Sequence, residues 1–110
     1  MDPAMIHLAD YIRNPRAIPF EATRLANTVH LSISQMNRRF RQAWGVSPKE
    51  FWMRHRLAKA QDHLRESNEK IQSIAGLLGF CDAYYFSKWF TQHTGMSPRR
   101  FRTECGRARM

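Results

Sequence analysis

The sequence predicts an all-α fold of seven helices, in which two helix-turn-helix subdomains are joined by a long linker helix. Two observations carry this prediction. Gly and Pro occur only at positions that leave the intervening stretches free to be helices, and few of these stretches carry strand signals. In addition, the segment Gly45–Phe51 recurs fifty residues later as Gly95–Phe101. With 43% apolar residues, the 110-residue chain can bury a core of its own.

The first half contains start and stop signals for three helices. A first helix begins at Asp2–Pro3 and ends near Asn14–Pro15, and its apolar residues recur at the spacing of one buried stripe. A second helix is expected from about Ala22 to Val29. A capping box over residues 32–35 then opens a third helix that stops near Trp44–Gly45. This order is helix, three-residue turn, helix.

The second half begins with another capping signature at residues 47–50, which opens the linker helix of residues 48–66. Further helices are expected around residues 71–78, from Asp82 towards Thr94, and from Ser97 to about Glu104. The apolar stripe of the linker helix is expected to consist of Phe51, Leu57, Ala58, Ala60, Gln61 and Leu64.

The repeat divides the single expected domain, residues 1–110, into a first unit of about 4–45 and a second of about 70–105, on either side of the linker. Upstream of the repeated segment, Leu25-Ala26 match Ile74-Ala75 at an offset one residue shorter. The second unit should therefore carry one extra residue in its turn, around Gly79 to Asp82.

The charge balance indicates an anionic partner. Eighteen Lys and Arg residues against nine Asp and Glu residues give a formal net charge of +9. Nucleic acid and an acidic membrane surface both fit this charge, but no apolar run approaches the ~20 residues of a spanning helix. We expect a cytoplasmic, nucleoid-associated protein that has no membrane partner.

The residues give no positive sign of enzymatic chemistry, and we predict a protein that is not an enzyme, with no catalytic residues, cofactor or metal. Cys81 and Cys105 are far apart and are expected to be free thiols. The five histidines lack the spacing of a zinc site, and no phosphate-binding loop, dinucleotide fingerprint or nucleophile elbow is present.

The third and sixth helices have the pattern of major-groove readers. In the third helix, Ile33, Met36, Phe40 and Ala43 should be buried; in the sixth, Phe86, Trp89 and Phe90. Arg and Asn fit guanine and adenine edges in bidentate fashion, so Asn37 and Arg38 are the leading base contacts. The full base-contacting set is Ser34, Asn37, Arg38, Arg41, Ala83, Tyr84, Ser87 and Lys88. The alternative that Tyr84 and Tyr85 belong to the core remains open.

Basic residues outside the reading faces are expected to contact DNA phosphates and to position the domain without reading sequence. The tail from Arg99 to Arg109 alone holds five arginines. Amides at the two Ser-Pro helix starts can also hold a phosphate. The phosphate-contacting candidates are Arg24, Lys49, Arg54, Arg56, Arg99 and Arg102.

A set of spaced residues in the second half resembles the signature of the AraC/XylS transcription regulators. It consists of Ile74-Ala75, Gly79-Phe80, Asp82, Tyr85-Phe86-Ser87-Lys88, Phe90, Gly95, Ser97-Pro98 and Phe101-Arg102. The resemblance implies a C-terminal DNA-binding domain whose two recognition helices enter adjacent major-groove segments of double-stranded bacterial promoter DNA. It also implies transcription regulation, with activation and an RNA polymerase contact expected, and an effector ligand that this domain does not bind. The chain resembles either an excised DNA-binding domain or a one-domain member.

Two other classes of function remain open at this point. One is a non-specific nucleic-acid-binding module driven by charge alone, which would show no sequence preference. The other is a protein-interaction module whose basic surface meets an acidic partner. The polar, groove-facing stripe of the third helix favours sequence-specific DNA binding over both.

Overall fold

A computed structural model describes residues 2–14 and 20–106, which form seven α-helices and no strand, as the sequence predicts. The helices are α1 Pro3–Arg13, α2 Ala22–Thr28, α3 Ile33–Trp44, α4 Pro48–Glu66, α5 Ile71–Leu77, α6 Ala83–Thr94 and α7 Pro98–Cys105. The expected arginines at positions 107 and 109, and the expected α1 end signal Pro15, lie outside the described residues.

The chain divides into two compact units, Met1–His55 and Arg56–Met110, and the boundary falls inside α4. Each unit contains a helix-turn-helix pair, α2 with α3 in the first and α5 with α6 in the second. The N-terminal part of α4 supplies Trp52 to the core of the first unit, whereas Ala60 and Leu64 are buried in the core of the second.

Each unit is built around an equivalent pair of phenylalanines. In the first unit, Phe40 of α3 is fully buried and meets Phe51 edge to face, with ring centroids 5.3 Å apart at 81°. In the second, Phe90 of α6 is fully buried and meets Phe101 in the same way, at 5.4 Å and 75°. Burial of such rings is a major source of stability, and the matched pairs explain why these positions recur in the sequence.

In both units, the first helix of the helix-turn-helix pair ends in the same hydrogen-bonded motif. In the first unit, Leu31 N–H donates to the Ala26 carbonyl at 3.1 Å, and His30 has a left-handed backbone with φ +56°. In the second unit, Phe80 N–H donates to the Ala75 carbonyl at 3.0 Å, and the left-handed residue is Gly79. These are Schellman motifs, which fix where each helix stops.

The extra residue expected in the second turn is Cys81. The first unit passes from Leu31 directly to Ser32, which caps α3, whereas the second passes from Phe80 through Cys81 to Asp82, which caps α6. Cys81 and Cys105 are both exposed free thiols, as expected. The insertion therefore lies on the surface and leaves the cap of α6 intact.

Two expectations about buried faces are wrong. Ile33 is 41% exposed, because as the first residue of α3 it lies at the edge of the core-facing stripe rather than on it. Ala58 of α4 is exposed as well. The buried side of α4 follows every fourth residue instead, through Trp52, Arg56, Ala60 and Leu64.

Candidate nucleic-acid interface

The exposed side of α3 carries the four polar residues that the sequence predicts there, Ser34, Asn37, Arg38 and Arg41. We call these residues the α3 reading face. The helix begins with a complete capping box, in which the Ser32 hydroxyl accepts from Gln35 N–H at 3.1 Å and the Gln35 side chain accepts from Ser32 N–H at 3.0 Å. This cap fixes the first turn, from which a recognition helix contacts bases.

α3 is also anchored to α1 and its N-cap. Asp2 caps α1 by accepting from Ala4 N–H at 3.0 Å, and its carboxylate also accepts from the Arg39 side chain. The Arg39 hydrogen bond is the main reason why the pKa of Asp2 is lowered from its ordinary value. Trp44 adds a second tie, since its indole N–H donates to the Met5 carbonyl at 3.2 Å.

The corresponding side of α6 is less charged and less exposed, since Ala83 and Ser87 are half-buried. Tyr84, Ser87 and Lys88 line one shallow groove, and the half-buried Ala83 starts the helix beside them. We call these four residues the α6 reading face. Asp82 caps the helix by accepting from Tyr85 N–H at 2.9 Å.

Tyr84 and Tyr85 are surface residues. They are 68% and 56% exposed, and their rings meet edge to face at 5.8 Å. The interpretation that they belong to the core is therefore wrong. The buried aromatic residues of α6 are Phe86 and Phe90, and Trp89 is half-buried.

The cations of both reading faces are available for a ligand. Arg38, Arg41 and Lys88 form no ion pair with any carboxylate in the part of the chain that the structure describes, and all three are exposed. An unpaired guanidinium keeps all its donors for a base edge or a phosphate, because no carboxylate neutralises it.

Lys49 and Arg99 occupy equivalent places at the starts of α4 and α7, and both are exposed. Within residues 2–14 and 20–106, neither is paired with a carboxylate. The Ser47 hydroxyl accepts a hydrogen bond from Glu50 N–H at 3.2 Å, and the Ser97 hydroxyl accepts one from Arg100 N–H at 3.1 Å. Because Pro48 and Pro98 have no amide proton, the amides of Lys49 and Arg99 are the ones that these caps leave for an anion.

Arg24 and Arg54 are exposed, but each already has an acidic neighbour on its own helix or cap. Arg24 Nε lies 3.5 Å from a Glu21 carboxylate oxygen, and Arg54 Nε lies 2.8 Å from Glu50. Surface pairs of this kind are weak, worth ~0–1 kcal/mol, so the arginines can still exchange partners. Each site nevertheless offers a phosphate less net charge than Lys49 does.

Arg56 does not fit the phosphate contact expected of it. It is 2% exposed, because it lies between Trp52 and Ala60 on the buried stripe of α4, and burial lowers the pKa of its guanidinium. A DNA backbone cannot reach such a side chain without unpacking the helix. We therefore leave Arg56 out of the interface.

Arg102 is half-buried and already engaged in the fold. Its Nε donates to the Leu64 carbonyl at 3.3 Å, one of the last carbonyls of α4, which lack partners inside their own helix. Its side chain also borders a shallow depression that Lys70, Arg99 and Ala83 line. Lys70 is exposed but is not among the phosphate-contacting candidates predicted from the sequence; the signal that could have found it is its position directly before α5.

The described residues contain no group of three or more His, Cys, Asp and Glu side chains that could hold a metal ion. Within the same residues, no helix combines the length and the apolar character that crossing a membrane requires.

Comparison with known sequences identifies the motif that carries this surface. A family model described as "Helix-turn-helix domain" matches residues 25–104. The HTH-type transcriptional activator RhaS of Escherichia fergusonii is 33% identical over 103 residues, which are 92% of this chain and 36% of that protein. The raffinose operon transcriptional regulatory protein RafR of Pediococcus pentosaceus is 34% identical over 82 residues, 74% of this chain and 30% of its own length. The chain thus spans about a third of these relatives.

Solved structures share the fold over nearly the whole chain. The C-terminal domain of AraT, a response regulator from Geobacillus stearothermophilus, has a TM-score of 0.78 at 23% identity, covering 96% of this chain and 88% of that one. The DNA-binding domain of AdpA, solved in complex with a target DNA, has a TM-score of 0.74 at 23% identity, covering 94% and 93%. At these identities the likeness shows the fold.

Proposed function

Because the chain belongs to the AraC/XylS family of helix-turn-helix transcription regulators, we propose that it binds double-stranded promoter DNA in a sequence-specific manner. The recognition helices are α3 and α6, which enter adjacent segments of the major groove. Binding regulates transcription of bacterial genes, and the name of the RhaS relative, a transcriptional activator, supports activation.

The observation that carries this proposal is the α3 reading face. It combines an amide and two unpaired guanidinium groups, Asn37, Arg38 and Arg41, along one exposed side of a capped helix. Asn can bind adenine N6 and N7 together, and Arg can bind guanine O6 and N7. Arg24 and Arg54 each have an acidic neighbour, whereas Arg38 and Arg41 do not. A surface whose only role is to be solvated would not need this difference.

The α6 reading face supplies a second, less charged set of contacts. Lys88 and the Ser87 hydroxyl can reach a base or a phosphate, and Tyr84 and Ala83 can meet a thymine methyl or a sugar. We propose that this helix contributes less specificity than α3, because it carries one unpaired cation where α3 carries two.

Phosphate contacts come from the exposed basic residues at helix starts. Lys49, Arg99 and Lys70 fit this role best, and Arg24 and Arg54 contribute after exchanging their carboxylate partners. Such contacts position the domain on the duplex and make binding depend on salt. Replacing Lys49 with Ala should weaken binding to all sequences alike and reduce the salt slope by ~1.

In the cell, the same proposal places the protein on the nucleoid in the cytoplasm, where it positions or recruits RNA polymerase. We also propose that this domain does not bind an effector ligand.

Selection from a pool of random duplexes at ~150 mM salt, with the purified chain, tests the proposal. We expect an asymmetric sequence with two short boxes about one helical turn, ~10 base pairs, apart. Enrichment of a single box would mean that one helix reads and the other only holds the backbone. Salt-sensitive retention without enrichment would mean non-specific binding to nucleic acid. No retention of any duplex would instead favour a protein-interaction module whose basic surface meets an acidic partner.

A further inference from the structure

Exposed apolar side chains are concentrated at the starts of the two recognition helices. In the described part of the chain, five large apolar residues are exposed, and three of them, Ile33, Tyr84 and Tyr85, lie in the first turns of α3 and α6. The proposed function uses Tyr84 but gives no role to Ile33. A side chain that is 41% exposed packs only partly against its own unit.

Ile33 is placed beside the side chain with the clearest role in base reading. It lies four residues before Asn37, and residues so spaced on a helix are neighbours, with Cβ atoms ~5–6 Å apart. Both residues are exposed. Arg38 and Arg41 on the same helix are unpaired with carboxylates among the described residues, so this surface suits an anionic partner. When Asn37 contacts one base, the adjacent base is therefore within reach of the Ile33 side chain.

The major groove offers a single apolar group to such a side chain. Guanine, cytosine and adenine present hydrogen-bonding groups there, whereas thymine also presents its 5-methyl group. We infer that Ile33 is a specificity-determining residue that contacts the 5-methyl group of a thymine next to the base pair read by Asn37. This inference rests on the proposed function of α3 as a recognition helix.

The test removes that methyl group alone. In the duplex recovered from the random-pool selection, each thymine is replaced in turn by deoxyuridine, and the dissociation constant is measured each time. Loss of one buried methyl should weaken wild-type binding about fourfold, which corresponds to ~0.8 kcal/mol. We expect this loss at one thymine of the box that α3 reads. It should vanish in Ile33→Ala and persist in Ile33→Val, which keeps an apolar branched side chain.

Ile6→Ala is the matched control, because Ile6 is 43% exposed but lies on α1, outside both reading faces. It should show the wild-type response to every deoxyuridine, and circular dichroism should show that all the variants are folded. A deoxyuridine penalty that is the same in wild type and Ile33→Ala at every thymine overturns the inference and leaves the proposed function intact. A selection that enriches no sequence overturns the proposed function, and the inference with it.

Discussion

Replacing Phe90 with Ala tests whether the second unit is held together by the aromatic core described above. Phe90 is fully buried, and its ring packs against Phe101 at 5.4 Å and Phe86 at 5.9 Å. Truncation loses the transfer free energy of the ring and leaves a cavity, which typically costs ~3–5 kcal/mol. A domain of this size has a total stability of ~5–15 kcal/mol, so the variant should lose a large fraction of it.

The assay is urea unfolding followed by far-UV circular dichroism and tryptophan fluorescence, from which the free energy of unfolding is extrapolated. Tyr84→Ala is the control, because Tyr84 lies on the same helix but is 68% exposed and should change stability by less than ~0.5 kcal/mol. The reasoning is refuted if Phe90→Ala costs less than ~1 kcal/mol or no more than Tyr84→Ala.

Three further substitutions test particular contacts. His30→Gly should raise stability by up to ~1 kcal/mol, because the left-handed backbone at φ +56° suits glycine; a lower melting temperature would contradict this. Asp2→Asn keeps the helix cap but loses the ionised partner of Arg39. Since the pKa of Asp2 is lowered in the folded state, the stabilising effect is present above the unfolded pKa and disappears as pH falls through the folded pKa. The melting-temperature advantage of wild type over Asp2→Asn should therefore shrink below about pH 4, and an advantage that grows there would be the opposite result. Arg102→Ala should cost ~1–3 kcal/mol of stability, because it leaves the Leu64 carbonyl without its donor; an effect on DNA affinity alone would show a purely surface role.

The helices could be predicted from the sequence because their ends are set by local chemistry. Ser32 and Gln35 form their capping box within one turn, and Ser97 with Pro98 starts α7 by a cap and a fixed φ. The repeat predicted that the two units are similar, since Phe40 and Phe90 recur at the same offset as the rest of the repeated segment. The capping signals involve only residues within one helical turn of each other, and the repeat is visible by comparing the two halves of the sequence.

The errors concern side chains whose surroundings are set by packing between helices. An arginine is expected at the surface, yet Arg56 is buried because the core-facing stripe of α4 passes through it. Its signal was the spacing of four between Trp52, Arg56 and Ala60. The bond from Arg102 to the Leu64 carbonyl joins residues 38 positions apart, so no local pattern announces it.

The most direct test of the central claim is to measure dissociation constants for the selected duplex and a scrambled duplex, with wild type, Arg38→Ala and Arg99→Ala. A protein that reads sequence should prefer the selected duplex by ~10³-fold or more. Arg38→Ala should weaken binding to the selected duplex by ~1–3 kcal/mol and leave the scrambled duplex nearly unchanged. Arg99→Ala should weaken both equally. If Arg38→Ala also weakens both duplexes equally, α3 does not read bases and the account fails.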